Sequence, residues 1–254
     1  MLAAPKKVVH SYSFSISEYK YHKLSKGNCI RSMSGTTVNC VAQDSKFDQD
    51  LIDYYKQFID ILILIKQSQI FIEEQIKFKK ITAKETSKNT LIFDLDETLV
   101  YASSDGSIIK RPFLSECIDE LSKHYNIWIW TAASASHADP IINEHVDPSG
   151  KYIQRVLYRD SCIELAHNIL IKDLRILDGC DISKYAIIDN QLISFITCMS
   201  NGILCDTFDG NTSDCDLLTI TKFFLSNTSN CNLALLIKST FKAEEIVKYI
   251  QSGE

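Results

Sequence analysis

The chain has 254 residues, 45% of them hydrophobic, and a net charge of −5. That is enough apolar content for a full core, in one α/β domain with an extension or in two small domains. Residues 1–50 carry seven Lys/Arg against four Asp/Glu, and the remainder twenty against twenty-eight. An acidic body argues against a direct nucleic-acid surface, which needs clustered Lys and Arg. The nine cysteines are odd in number and include no C-x-x-C pair, which argues against zinc-site spacing. Cys117, Cys162, Cys198 and Cys205 sit in apolar surroundings and read as reduced core thiols. The N-terminus lacks the apolar core of a secretory signal. The longest apolar stretch, residues 58–65, is broken by Asp60 and falls short of the ~20 residues that span a bilayer. A soluble intracellular protein without a membrane span, nuclear or cytoplasmic, is expected.

Residues 1–46 are rich in Ser, Lys, Tyr and Asn without a sustained period and are expected to form an irregular or flexible arm. Residues 47–81 predict a helical extension: Leu51, Tyr55, Phe58, Leu62, Ile65, Ile72 and Ile76 recur at three- and four-residue steps. Such a stripe can pair helices between chains, as a homodimer or with a partner. It can also pack onto its own domain. Ile52, Ile59, Ile61 and Ile63 widen it beyond a narrow seam, which favours intramolecular packing.

Residues 88–254 form the predicted main domain, beginning with a short strand that ends at Asp94. A hairpin is expected around Asp105-Gly106, then a helix opened by Pro112 with Leu114, Cys117, Ile118 and Leu121 on one face. A buried strand spans Asn126–Trp130, and a helix over 135–145 stops at the turn cluster 147–150. Further strands are expected over 152–158 and 186–188, and helices over 214–225 and 243–251. The alternation predicts a Rossmann-like α/β fold, a parallel sheet with helices on both faces and no lid domain.

Residues 91–100, L-I-F-D-L-D-E-T-L-V, are the most informative segment. Asp94 and Asp96 follow an apolar strand at its C-terminal end, where open α/β sheets bind ligands. Alternate residues of an extended segment point the same way, so both acids can face one pocket. Two close carboxylates repel unless a cation or a shared proton intervenes, which points to a divalent metal, an acid–base couple, or both. A helix cap or turn explains one acid well, and two acids plus Thr98 poorly. Thr131, Lys172 and the pair Asp189/Asn190 also close predicted apolar segments. If the sheet is parallel, these ends meet along one edge. Two acids, a hydroxyl, an ammonium and an acid–amide pair suit phosphoryl transfer. Mg²⁺ takes oxygen ligands and one or two carboxylates, and Lys172 and Thr131 can hold phosphoryl oxygens.

In order, the chain reads D-L-D-E-T-L-V (94–100), R-P (111–112), W-T-A-A (130–133), A-D-P (138–140), R-D-S-C (159–162), K-D-L (172–174) and I-D-N (188–190). This series resembles the FCP/SCP phosphatases of the haloacid dehalogenase superfamily. They dephosphorylate Ser/Thr in the RNA polymerase II C-terminal domain and in other proteins. The resemblance implies Asp94 as a nucleophile that forms an aspartyl-phosphate. It implies Asp96 as the acid that protonates the leaving oxygen and then the base that activates water. It further implies Mg²⁺ held by Asp94, the Asp96 backbone carbonyl and Asn190, with Asp189 supporting those ligands and pairing with Lys172. Thr131 and Lys172 bind the phosphoryl group, and Thr98 braces the first loop.

Spacing bears on substrate. Thr98 to Thr131 is 33 residues and Thr131 to Lys172 is 41, each already spent on predicted elements, so neither gap holds a lid. An open cleft admits a loop of a phosphoprotein or phosphopeptide better than it encloses a metabolite. Two departures stand out. Residues 101–110 leave room only for a short hairpin, where the small polymerase-tail phosphatases carry a longer insertion that helps form an apolar pocket for a substrate proline. Their S-P after D-N is here Gln191-Leu192. The rival readings are a catalytically weak scaffold of the same fold, disfavoured because Asp94, Asp96, Lys172 and Asp189 are all present, and a small-molecule phosphatase, disfavoured by the missing lid.

Overall fold

The structure, a computed structural model, describes residues 47, 49–83, 86–165 and 169–253. The expected arm over 1–46 lies outside the described residues. Helices α1 (Gln49–Lys56), α2 (Ile59–Gln67) and α3 (Gln69–Phe78) form the extension. The expected stripe is therefore cut twice, between α1 and α2 and again at Ser68, whose N–H closes the last turn of α2 on the carbonyls of Leu64 and Ile65. Leu51, Tyr55, Ile72 and Ile76 are buried in a cluster shared with the sheet, so α1 and α3 pack on their own chain. No helix among the described residues is long and apolar enough to cross a membrane.

Beyond the extension come β1 (Ile81–Thr82), β2 (Thr90–Phe93) and the antiparallel hairpin β3 (Val100–Ala102) and β4 (Ile108–Lys110). Then follow α4 (Leu114–Ser122), β5 (Asn126–Trp130), α5 (Ala135–Ile141) and β6 (Ile153–Leu157). A second antiparallel hairpin, β7 (Ile163–Leu165) and β8 (Ile169–Ile171), precedes β9 (Leu177–Asp178), β10 (Tyr185–Asp189) and β11 (Gly202–Leu204). Helices α6 (Asp216–Leu225), α7 (Leu233–Phe241) and α8 (Ala243–Ser252) end the described chain.

Five strands make the main sheet in the order β11-β10-β2-β5-β6, all parallel. Parallel strands covered on both faces read as continuous apolar runs. T-L-I-F in β2 and Y-A-I-I-D in β10 are buried throughout. Side chains still alternate between faces. Leu91, Phe93, Ile127 and Ile129 join the core under α4, α6 and α7. Ile92, Trp128, Trp130 and Ile187 join the opposite core, with α1, α3 and α8. From β2 the chain runs outward through β5 and β6, then returns to the other side of β2 with β10 and β11. That reversal opens a crevice at the carboxyl ends of β2 and β10. Register places it: Phe93 pairs with Ile188, and the Asp94 N–H donates to the Ile188 carbonyl at 2.9 Å.

Two local devices hold this sheet. The 147–150 turn is built on Asp147, which is 3% exposed. Its carboxylate accepts the N–H groups of Tyr152 (2.7 Å), Ile153 (2.9 Å) and Lys151 (3.1 Å) as the chain enters β6. Burial alone would raise this carboxyl, but the donors from Ile153 and Tyr152, with Ser149, hold it below the usual range. At the far edge, a Cβ on Gly202 would lie 1.9 Å from the Phe195 ring, so β11 can lie against that ring only as glycine.

Gly202→Ala should lower unfolding free energy by about 1–3 kcal/mol through overpacking. Asp147→Ala should cost about 2–3 kcal/mol at neutral pH, read by chemical denaturation. Because the native carboxyl titrates below its unfolded value of about 3.9, that stabilisation is complete above the unfolded value and fades as pH falls through the native one. The two proteins should therefore converge in acid. A constant gap across that range would contradict the assignment.

Candidate active site

The crevice between β2 and β10 collects three buried charges. Lys172 Nζ donates to Asp94 Oδ1 and to Asp189 Oδ2, each at 2.6 Å. The residues are 2%, 7% and 1% exposed. Asp189 Oδ1 accepts the Gln191 N–H at 2.8 Å, which fixes that carboxylate behind the site. Burial disfavours the ammonium, but the charges of Asp189 and Asp94 outweigh it and keep Lys172 protonated. For Asp94 burial dominates over the attraction of Lys172, and with repulsion from Asp189 the carboxyl is pushed up to about 7. Two carboxylates share one ammonium, so the trio is one positive charge short.

Lys172 reaches this point by a route the periodicity did not suggest. It does not close a strand of the main sheet. It follows β8 of the small antiparallel hairpin, and its own N–H is held by the Ser194 carbonyl at 2.6 Å. The span between Thr131 and Lys172 thus holds a hairpin besides the expected helix and strand, and residues 166–168 of that hairpin lie outside the described residues.

A second group gathers on Asp96, whose side chain is 38% exposed at the mouth of the crevice. Thr131 Oγ1 lies 3.5 Å from Asp96 Oδ2 and accepts the Ala133 N–H at 2.9 Å. His137 Nε2 lies 3.1 Å from Asp96 Oδ1. His137 is not among the residues that the sequence motifs single out. The available signal was a histidine six residues beyond Thr131, on the first turn of the helix that the Thr131 loop opens.

A third group surrounds Asn190. Its Nδ2 donates to Glu97 Oε2 (3.3 Å) and Thr207 Oγ1 (3.2 Å), and its N–H donates to Thr98 Oγ1 (3.3 Å). These donations leave Oδ1 with one long contact, from Thr98 Oγ1 at 3.4 Å. Glu97 holds a left-handed backbone, φ 60°, as the loop turns back under Asp96. Arg111, 1% exposed, anchors that loop: it donates to the Thr98 carbonyl (3.2 Å) and to Asp214 through two nitrogens (2.8 and 2.7 Å). Thr98 is fully buried.

The helical extension grips the same segments from outside. Glu73 pairs with Arg175, which pairs with Asp173 (2.7 Å), next to Lys172. Lys79 Nζ donates to the carbonyls of Asp160 and Cys162, each at 2.7 Å. Gln75 exchanges two hydrogen bonds with the Glu164 backbone (2.7 and 2.9 Å). Tyr54 of α1 lies against the Leu192 backbone just after Asn190, and burial pushes its phenol up to about 12.

Among the described residues no three His, Cys, Asp or Glu side chains gather as a metal site. The expected donor set is of another kind, one carboxylate, one backbone carbonyl and one amide oxygen. It fits a hard divalent cation: the trio lacks a positive charge, and the Asn190 amide donates through Nδ2 to Glu97 and Thr207, leaving its oxygen one long contact, from Thr98.

A family model described as NLI interacting factor-like phosphatase matches residues 89–233. CTD small phosphatase-like protein 2 of Dictyostelium discoideum is 32% identical over 179 residues, 63% of this chain and 31% of that protein. The human CTD small phosphatase-like protein is 30% identical over 164 residues, 57% of this chain and 58% of its own. This chain therefore spans less than two thirds of either relative. A solved structure of Fcp1, described as an essential RNA polymerase II CTD phosphatase, aligns with 65% of this chain and 54% of its own, at 21% identity and a TM-score of 0.42.

Lys172→Met should destabilise the metal-free protein by about 3–5 kcal/mol, because it leaves two buried carboxylates facing each other. Denaturant melts of both proteins check this. A loss under about 1 kcal/mol would mean that the ammonium does not hold the acids together.

Proposed function

The chain belongs to the NLI interacting factor-like phosphatase family, and from that premise we propose that it hydrolyses phosphoserine or phosphothreonine in a phosphoprotein segment. The observation that carries the reading is the Lys172 ammonium shared by Asp94 and Asp189 beside Asp96. The residue 88–254 unit does the chemistry in this account, and residues 47–81 form an extension docked on it.

Asp94 attacks phosphorus through a carboxylate oxygen. The bond from phosphorus to the serine or threonine oxygen breaks, and Asp96 passes its proton to that leaving oxygen. Asp96, now a carboxylate, takes a proton from water. The water oxygen bonds to phosphorus, and the Asp94–phosphorus bond breaks to free phosphate. Lys172 and Thr131 hold the phosphoryl oxygens, where charge accumulates in the transition state. Mg²⁺ on Asp94, the Asp96 carbonyl and Asn190, with Asp189 supporting them, would offset phosphate charge and favour the ionised, nucleophilic form of Asp94.

Substrate class follows from access. Asp96 and His137 are 38% and 50% exposed, and the segments flanking the crevice are short hairpins. Such a mouth suits a loop or tail of a protein chain. Two of these relatives are named CTD small phosphatase-like proteins, and a further human relative is named for the carboxy-terminal domain of RNA polymerase II. Here the β3–β4 hairpin is three residues a strand. It leaves no segment for the longer insertion, so the reading is a phosphoprotein segment not chosen by a proline pocket there.

Phosphate release from a phosphoserine peptide with Mg²⁺ should fall at least ~10³-fold in Asp94→Asn and stop on addition of EDTA. Equal turnover by the variant would remove Asp94 as nucleophile. Turnover that persists in EDTA would remove the metal.

A further inference from the structure

Asp96 is held from two sides, and one of them is not needed to explain the fold. Its Oδ2 faces Thr131, a buried residue fixed by the Ala133 N–H. Its Oδ1 faces His137 Nε2 at 3.1 Å, from the first turn of α5. That histidine side chain is 50% exposed and fills no core space. An exposed histidine–carboxylate pair does little for stability, so the contact is better explained by what Asp96 must do than by what holds the fold.

Resting on the reading above, in which Asp96 gives and then takes a proton, we infer that His137 is a positioning residue for that transfer. With hydrogen on Nε2, the ring donates to Asp96 Oδ1. The acid proton of Asp96 is then left to the other oxygen, Oδ2, on the Thr131 side, where phosphoryl oxygens are held. As Asp96 releases this proton to the leaving alkoxide, negative charge grows on the carboxyl. The donated hydrogen bond strengthens with that charge, so it stabilises the transition state more than the ground state. The ring also fixes the torsion of an otherwise half-exposed side chain, which shortens the search for the productive geometry. His137 neither touches the phosphoryl group nor exchanges a proton with substrate in this account.

A leaving group that needs protonation separates this role from general support of the site. Serine leaves as a basic alkoxide, whereas nitrophenolate departs without a proton. The test compares His137→Ala, His137→Gln and wild type on a phosphoserine peptide and on para-nitrophenyl phosphate, with kcat and KM measured for each. His137→Ala should lose about 10-fold more kcat/KM on the peptide than on the aryl ester, because kcat/KM reports the step in which the leaving group departs and only the peptide's needs the proton. His137→Gln, which keeps an N–H donor, should recover part of the difference. Equal losses on both substrates would make His137 a structural residue. No loss on the peptide would remove it from the reaction. A wild type that releases phosphate from neither substrate would overturn the phosphatase reading itself, a result distinct from either of those.

Discussion

A single buried ammonium between two carboxylates organises the crevice. Lys172 lies 2.6 Å from both Asp94 and Asp189, where water contributes little screening. Removing the ammonium would strand two carboxylates in the interior, so the lysine must arrive with the acids. Each comes from a different element: Asp94 from the end of β2, Asp189 from the end of β10, and Lys172 from the end of the β7–β8 hairpin. The parallel pairing of β2 with β10 sets the first two side by side. The Ser194 carbonyl, on the turns between β10 and β11, fixes the third by its backbone. Burial, with repulsion from Asp189, keeps the Asp94 carboxyl high, and a cation is what a phosphatase would use to offset both before using that carboxylate as a nucleophile.

Much of this was legible in the sequence, for physical reasons that differ by element. β2, β5 and β10 are buried on both faces, so their uninterrupted apolar runs mark them. Helix α4 shows its face through Leu114, Cys117, Ile118 and Leu121, all buried as expected. β11 is only three residues, G-I-L, and it follows ten residues of short helical turns whose hydrophobicity masks the change of period. Helix α7 was also overlooked. Its start is written in Asn232, whose side chain caps Leu235 N at 2.8 Å, but L-A-L-L-I has too broad an apolar surface to announce a helix rather than a strand. Within the site, acids next to strand ends could be found by alternation. Lys172 is expected at the end of a sheet strand and instead follows a two-stranded hairpin, because the two leave the same short apolar signature. His137 left only a faint signal, its place six residues beyond Thr131, since its contact joins the first turn of α5 to the Asp96 loop across 41 residues of sequence.

The extension changes how the domain should be viewed. Residues 47–81 lie outside the stretch that matches the family model, yet their side chains hold the backbone of residues 160–164, beside the expected R-D-S-C segment, and pair with Arg175 near Lys172. Its apolar stripe is spent largely on the chain's own core through Leu51, Tyr55, Ile72 and Ile76. Polar contacts at the edge then fix how α3 lies against the hairpin that delivers the lysine. The helices thus help set the geometry of the crevice by packing, while contributing no side chain to it.

The most direct test of the account is where phosphorus sits during turnover. The protein is mixed with a radiolabelled phosphoserine peptide and Mg²⁺, quenched in acid within one turnover, and mapped by peptide mass. The label should lie on Asp94 as an acyl phosphate, stable in acid and lost on mild alkaline or hydroxylamine treatment. Label on another residue, or steady release of phosphate with no acyl phosphate at any quench time, would contradict a carboxylate nucleophile held in place by Lys172.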